Sequence, residues 1–121
     1  MSGDPAAWAA ARLTAPRDGE LALSVVVPVR NEGPNIATLV HEIAAALAPV
    51  GAFEIVYVDD GSDDETALEL ARARAREPRL RVVRHRRPGG QSAALRSGIL
   101  SARAPLVATL DGDGQNDPAE L

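Results

Sequence analysis

Strands alternating with helices predict an α/β fold on a parallel sheet, and three features of the 121-residue chain carry that expectation. Short β-branched apolar runs recur four times, as "LALSVVV" (21–27), "FEIVYV" (53–58), "LRVVRH" (80–85) and "LVATL" (106–110). Between them lie three segments with apolar residues at helical spacing. Each strand ends in a polar loop, where open parallel sheets collect their ligands.

The first run is uniformly apolar, as a strand buried on both faces requires, and Pro28 is expected to end it. Gly33 and Pro34 then open a helix whose core stripe is Ile36, Leu39, Val40, Ile43, Ala44 and Leu47, stopped by Pro49 and Gly51. After the second strand, Ser62 and Glu65 have the spacing of a capping box, and Ala67, Leu70, Ala71 and Ala75 form the apolar stripe of the next helix. The third helix, "QSAALRSGILSA", is read with Leu95, Gly98, Ile99 and Ala102 inward. Residues 1–20 are Ala-rich and predicted to be a flexible leader, with Trp8 as a docking residue, which leaves residues 21–121 as the organised domain.

A formal charge of -4 and 45% apolar content describe a chain that fills one core and stays in solution. With no cysteine, disulfides, thiolate nucleophiles and zinc-thiolate sites are excluded. No apolar run approaches the length of a membrane span, and the N-terminus lacks the pattern of a secretory signal, so a cytoplasmic location is expected. All 13 basic residues are arginine, concentrated between Arg72 and Arg103, whereas acids gather at 59–69 and 111–120. Overall acidity and one residue each of Trp, Tyr and Phe argue against a nucleic-acid partner. The arginines suit a solvated helix face or a patch facing anionic lipid headgroups.

The loops after the strands read "PVRNEG", "DDGSDD", "RRPGGQ" and "DGDGQND". No G-x-G-x-x-G follows a strand, and a chain without lysine has no Walker lysine. In the last loop, residues two apart at a strand end point the same way, so Asp111 and Asp113 can converge on one hard cation while Gly112 admits a close approach. The ion would relieve the repulsion between the carboxylates. A plain turn capping a helix at Pro118 accounts for "DGDG" equally, and both readings stay open on these residues. An EF-hand does not fit, because its sixth position is Asn116. "LDGDG" also has the local form of a phosphatase of the haloacid dehalogenase type, but the acids and lysine that such a domain needs downstream are absent here.

Four segments in order, "SVVVPVRNE", "VYVDDGSDDET", "RRPGGQSAALRSGI" and "LDGDGQNDP", resemble the family 2 glycosyltransferases of GT-A fold, a Rossmann-like architecture, and within them the polyprenyl-phosphate and dolichol-phosphate mannosyltransferase-like enzymes. The resemblance covers about Leu23 to Leu121 and implies the N-terminal, donor-binding half of such a domain. It places Pro28, Val29, Arg30, Asn31 and Glu32 against the nucleoside, with Glu32 toward ribose, and Asp60, helped by Asp59, against the base. Asp111 and Gly112 would lie beside ribose and diphosphate, and Asp111, Asp113 and Gln115 would hold Mg²⁺ or Mn²⁺. The partners implied are a nucleoside-diphosphate sugar and a polyprenyl phosphate at the inner face of a membrane. No catalytic base is assigned, since that family builds its acceptor site after the D-x-D segment, and His41 and His85 are expected to be non-catalytic. Gly114 stands where relatives often carry a larger apolar residue. A non-catalytic nucleotide-sugar-binding module is the alternative function, and the 121-residue chain is expected to self-associate through an uncovered sheet edge.

Overall fold

The computed structural model describes residues 20–112; the leader, except Glu20, and Asp113, Gln115 and the rest of the last loop lie outside the described residues. Four strands form one parallel sheet: β1 (Leu23–Val29), β2 (Phe53–Asp60), β3 (Leu80–His85) and β4 (Leu106–Thr109), in the order β3-β2-β1-β4. Three helices connect them: α1 (Gly33–Leu47), extended by a 3-10 turn (Ala48–Val50), α2 (Thr66–Arg76) and α3 (Gln91–Ser101). The predicted parallel α/β class is therefore the observed one.

Strand periodicity divides the core into two layers. Val25, Val27 and Val29 of β1 and Phe53, Ile55 and Tyr57 of β2 pack with Ile36, Leu39, Val40, Ile43 and Leu47 of α1 and with Leu70 and Ala73 of α2. The alternate residues face α3, which lies so close that a Cβ on Gly98 would fall 2.3 Å from Val26 Cγ1 and 3.0 Å from Val58 Cγ2. All eight residues of β2 are buried, as a central strand covered on both faces demands.

Several local expectations are corrected. β1 runs through Pro28 to Val29, because the proline's missing N–H points toward β4, where the ladder has already ended at the Val26–Thr109 pair. No capping box forms: Ser62 Oγ accepts the N–H of Asn31, and α2 starts only at Thr66, whose N–H donates to Asp64 Oδ1 at 2.8 Å. On α2 the buried stripe is Thr66, Leu70 and Ala73, while Ala71 and Ala75 are exposed. An alanine-rich helix has small residues on every side, so packing on α1 decides which face is covered. On α3 the inward residues are Ala94 and Gly98; Ile99 is exposed, since only small side chains fit between this helix and the sheet.

At the amino end of the sheet Glu54 is buried and ties four elements together. It accepts hydrogen bonds from Ser24 Oγ at 2.6 Å, Arg81 Nη1 at 2.7 Å and the Arg103 N–H at 2.7 Å, while Arg81 also reaches Ser101 O. Burial by itself would raise the Glu54 pKa, but Ser24, Arg81 and the Arg103 N–H together hold it below the ordinary 4.5. A folded-state value below the unfolded one stabilises the fold above pH 4.5, and that contribution is lost as pH falls through the folded value. Melting temperature measured against pH is expected to fall more steeply below about pH 4.5 in the native chain than in Glu54→Gln, and the variant is expected to lose about 2 kcal/mol at neutral pH. Gly98→Ala, which would gain about 1 kcal/mol in an ordinary exposed helix, is expected to lower stability in denaturant titrations by about 1 to 3 kcal/mol, because Val26 cannot move aside.

Candidate functional site

In the order β3-β2-β1-β4 the chain steps from β1 to β2 and β3 on one side and then crosses back to lay β4 on the other side of β1, and the crevice at the carboxyl ends of β1 and β4, where the strand order reverses, is where ligands of open α/β sheets bind. A cleft of about 450 Å³ lies there. Its walls are Pro28 and Val29 at the end of β1 with Arg30 and Glu32 after it, Asp60 at the end of β2, Pro88 and Gly90 before α3 with Gln91 and Ala94 in its first turn, and Asp111 and Gly112 after β4. Each of the four loops singled out by their composition contributes to these walls, the second through Asp60 and the last through Asp111 and Gly112.

The first loop is fixed by its neighbours. Asn31 takes φ 53°, a left-handed conformation that asparagine tolerates. Its N–H donates to Ser62 Oγ at 2.9 Å, and its Oδ1 accepts the Asp63 N–H at 3.0 Å. The Glu32 N–H donates to Thr66 Oγ1 at 3.0 Å, and Asn35 Nδ2 donates to Glu32 Oε1 at 2.7 Å. Asn31 thus ties two loops together and is not among the cleft-lining residues, whereas Arg30 and Glu32 are.

Asp59 and Asp60, adjacent on β2, point to opposite faces of the sheet. Asp59 is fully buried on the helix α2 side, with Oδ1 accepting the Ser62 N–H at 3.0 Å and Oδ2 3.8 Å from Arg84 Nε. It shapes the "DDGSDD" turn from behind instead of sharing the cleft with Asp60. Asp60 faces the cleft, and its oxygens are held by protein donors: Oδ1 accepts from His85 Nδ1 and the Gly89 N–H, each at 2.8 Å, and Oδ2 accepts the Gly90 N–H at 2.9 Å. Burial would raise its pKa, yet the Gly89 N–H, His85 and the Gly90 N–H outweigh that and hold it below the ordinary carboxylate value.

Asp111 is the opposite case. It is exposed, receives one weak hydrogen bond from Gln91 Nε2 at 3.3 Å, and has no ion-pair partner among the described residues. Gly112 is buried and has a packing role that composition did not suggest: a Cβ there would lie 2.2 Å from Val29 Cγ1 and 2.9 Å from Pro28 O, so the glycine lets the strand end press onto β1 while lining the cleft. The other assigned metal ligands, Asp113 and Gln115, lie outside the described residues, and no group of three His, Cys, Asp or Glu side chains forms a cage among those described. Composition missed the contribution of Gln91, Ala94 and His85; the tandem glycines in "PGGQ" were the one available signal that backbone amides were needed there.

Comparison with known proteins agrees with this geometry. A family model described as glycosyl transferase family 2 matches residues 24–121. The dodecaprenyl-phosphate galacturonate synthase of Rhizobium johnstonii is 44% identical over 103 residues, covering 84% of this chain and 30% of that protein. The undecaprenyl-phosphate 4-deoxy-4-formamido-L-arabinose transferase of Pseudomonas paraeruginosa is 45% identical over 102 residues, with 82% and 30% covered. Among solved structures, a mannosyltransferase from Pyrobaculum calidifontis in complex with GDP-Man and Mn²⁺ superposes with a TM-score of 0.71 at 27% identity, over 88% of this chain and 33% of that one. S. aureus TarS in complex with UDP-GlcNAc gives 0.66 at 28% identity, over 75% and 26%. The chain spans about 30% of the length of the curated relatives it matches. The parallel sheet with its switch-point cleft is the GT-A architecture that the motifs implied, and with nearly all of the organised sequence matched, the chain belongs to glycosyl transferase family 2.

Proposed function

We propose that the cleft binds the nucleoside-diphosphate part of a sugar donor, and that the protein to which this sequence belongs transfers the sugar to a polyprenyl phosphate. One observation carries the reading: Asp111 presents an open carboxylate at the point where the loops after β1, β2 and β4 meet. Around it the cleft carries Glu32 and Asp60 against a single arginine, Arg30, so a diphosphate entering there needs a counter-ion. Donors that are all oxygen suit Mg²⁺ or Mn²⁺, which bind one or two carboxylates and complete their shell from phosphate and water. Asp111, with Asp113 and Gln115, would hold the ion, and when bound it would neutralise the diphosphate leaving group.

In this reading Pro28, Val29, Arg30 and Glu32 line the wall that would meet the nucleoside, and Glu32, whose Oε1 already accepts from Asn35 Nδ2, would accept from ribose hydroxyls. In the proposed reaction an acceptor phosphate oxygen forms a bond to the anomeric carbon as the bond to the diphosphate breaks in line, and the electron pair leaves with the nucleoside diphosphate. The relatives' polyprenyl-phosphate names support the acceptor class, as do the exposed Arg86 and Arg87 beside the cleft, which have no acidic partner among the described residues. That acceptor would put the reaction at a membrane surface, and we propose the cytoplasmic face. No helix among the described residues is long and apolar enough to cross the membrane itself.

Calorimetric titration of UDP and GDP with Mn²⁺ is expected to show binding that falls about tenfold or more with chelator or in Asp113→Asn. Equal affinities with and without metal would overturn the metal assignment. Among the described residues, exposed Leu106 and Val107 on β4, with Ile99 and Leu100 on α3, form an apolar edge, and sedimentation of the 121-residue chain is expected to show self-association, a single monomeric species being the result that counts against it.

A further inference from the structure

We infer that His85 is a positioning residue for the donor cleft, acting through Asp60 on the backbone of Gly89 and Gly90; this rests on the donor-site reading above. His85 ends β3 and is only one-fifth exposed, with Nδ1 2.8 Å from Asp60 Oδ1 and Nε2 2.7 Å from Ser97 Oγ. The tautomer follows from the partners. Asp60 is ionised and accepts from two backbone amides, so Nδ1 carries the hydrogen toward it, and in the neutral ring Nε2 accepts the Ser97 hydroxyl. Ser97 lies in the middle of α3, and Gly89 and Gly90 immediately precede that helix. The chain Ser97–His85–Asp60 therefore links the body of α3 to the loop at its own N-terminus through the ends of two strands.

Serine, histidine and aspartate at these distances also describe a nucleophilic triad, and the surroundings exclude that use. Ser97 sits inside a continuous helix, where backbone N–H groups bond to carbonyls one turn earlier and none is free to stabilise an oxyanion. The serine faces His85 from the flank of Ala94 and Gly98, the residues that pack on the sheet, and it is absent from the cleft walls.

What the chain of bonds does is hold a glycine loop in one conformation. Gly90 has φ 94°, a conformation that glycine adopts but does not prefer over many others. Nothing caps α3 through a side chain, and a Cβ built on Gly90 would have no neighbour within 4 Å, so packing does not fix this residue. The two Asp60 oxygens do so instead, by gripping the Gly89 and Gly90 amides, and His85 keeps that carboxylate from turning. Gly90 and Gln91 are cleft walls, and Gln91 reaches Asp111, so the orientation of Asp60 passes directly to both sides of the cleft.

Asparagine is the informative replacement, because its Nδ2 lies where the imidazole Nδ1 lies and can donate the same hydrogen bond. In amide hydrogen exchange followed by NMR, Gly89 and Gly90 are expected to exchange about tenfold faster in His85→Ala and within about threefold of the native chain in His85→Asn. UDP or GDP affinity with Mn²⁺ is expected to follow the same order, about tenfold weaker in His85→Ala and near native in His85→Asn. Unchanged exchange in His85→Ala, or failure of asparagine to restore it, would overturn the inference. Faster exchange with unchanged nucleotide affinity would remove the positioning role and leave a structural one. Should the native chain bind neither nucleotide, the donor-site reading fails, while the exchange measurement still decides whether His85 holds the loop.

Discussion

The cleft exists because β4 pairs with β1 and not with the free edge of β3. From β3 the chain must return across two strands, and α3 is the element that carries it. The pairing ends with Val26 opposite Thr109 and a last bond from the Leu110 N–H to Val26 O at 3.0 Å, which delivers Asp111 and Gly112 beside Pro28. Two glycines make the return feasible. Gly98 lets α3 lie on Val26 and Val58, and Gly112 lets the chain beyond β4 press against Val29 and Pro28 O. Larger residues at either position would push α3 or the strand end away from β1, and the carboxylate that defines the site would move with them.

Against that scaffold the three strand-end aspartates have separate tasks, and their surroundings explain why. Asp59 is buried behind the sheet and holds the Ser62 amide. Asp60 is nearly buried, but three donors satisfy it, so its charge is stabilised internally and it organises the opposite loop. Asp111 is exposed and is offered a single amide by Gln91. A carboxylate held by three protein donors keeps about one acceptor site free for an incoming group, while one in contact mainly with water can exchange that water for a cation. The ordering leaves Asp111 the more open of the two acids in the cleft lining, while Asp60, also in that lining, holds the Gly89 and Gly90 amides.

Much of this was legible in the chain because it depends on local periodicity. β-branched runs at 23–29 and 53–60 have one stable destination, the middle of a parallel sheet, and α1 has a stripe wide enough to identify its buried face. Helices made of small residues were not legible in that way. In α2 and α3 the alanines and glycines leave almost no hydrophobic contrast, so which side faces inward is decided by how closely the sheet approaches, a tertiary fact. The capping-box spacing at Ser62 and Glu65 misled for a related reason: Ser62 had a better partner 31 residues away in Asn31, and sequence spacing shows only local competitors. For the site, the four loops were visible as composition, but the bridge from Ser97 through His85 to Asp60 spans three elements and leaves no linear pattern.

The two edges of the sheet are not equivalent, and the difference bears on what surrounds the cleft. β3 carries Arg81 and Arg84 along its edge, charges that discourage another strand from pairing there. β4 has the sequence LVAT, with Leu106 42% and Val107 39% exposed, and α3 adds Ile99 and Leu100 on the same side of the fold. An edge meant to face water would be expected to carry the charges and not the apolar residues. The distribution therefore marks the β4 side as the one suited to being covered by further polypeptide, and because Asp111 follows directly from β4, whatever adds to that edge comes to lie next to the open carboxylate. Protection of the sheet edge and the surroundings of the Asp111 carboxylate are thus one structural problem, posed at the same place.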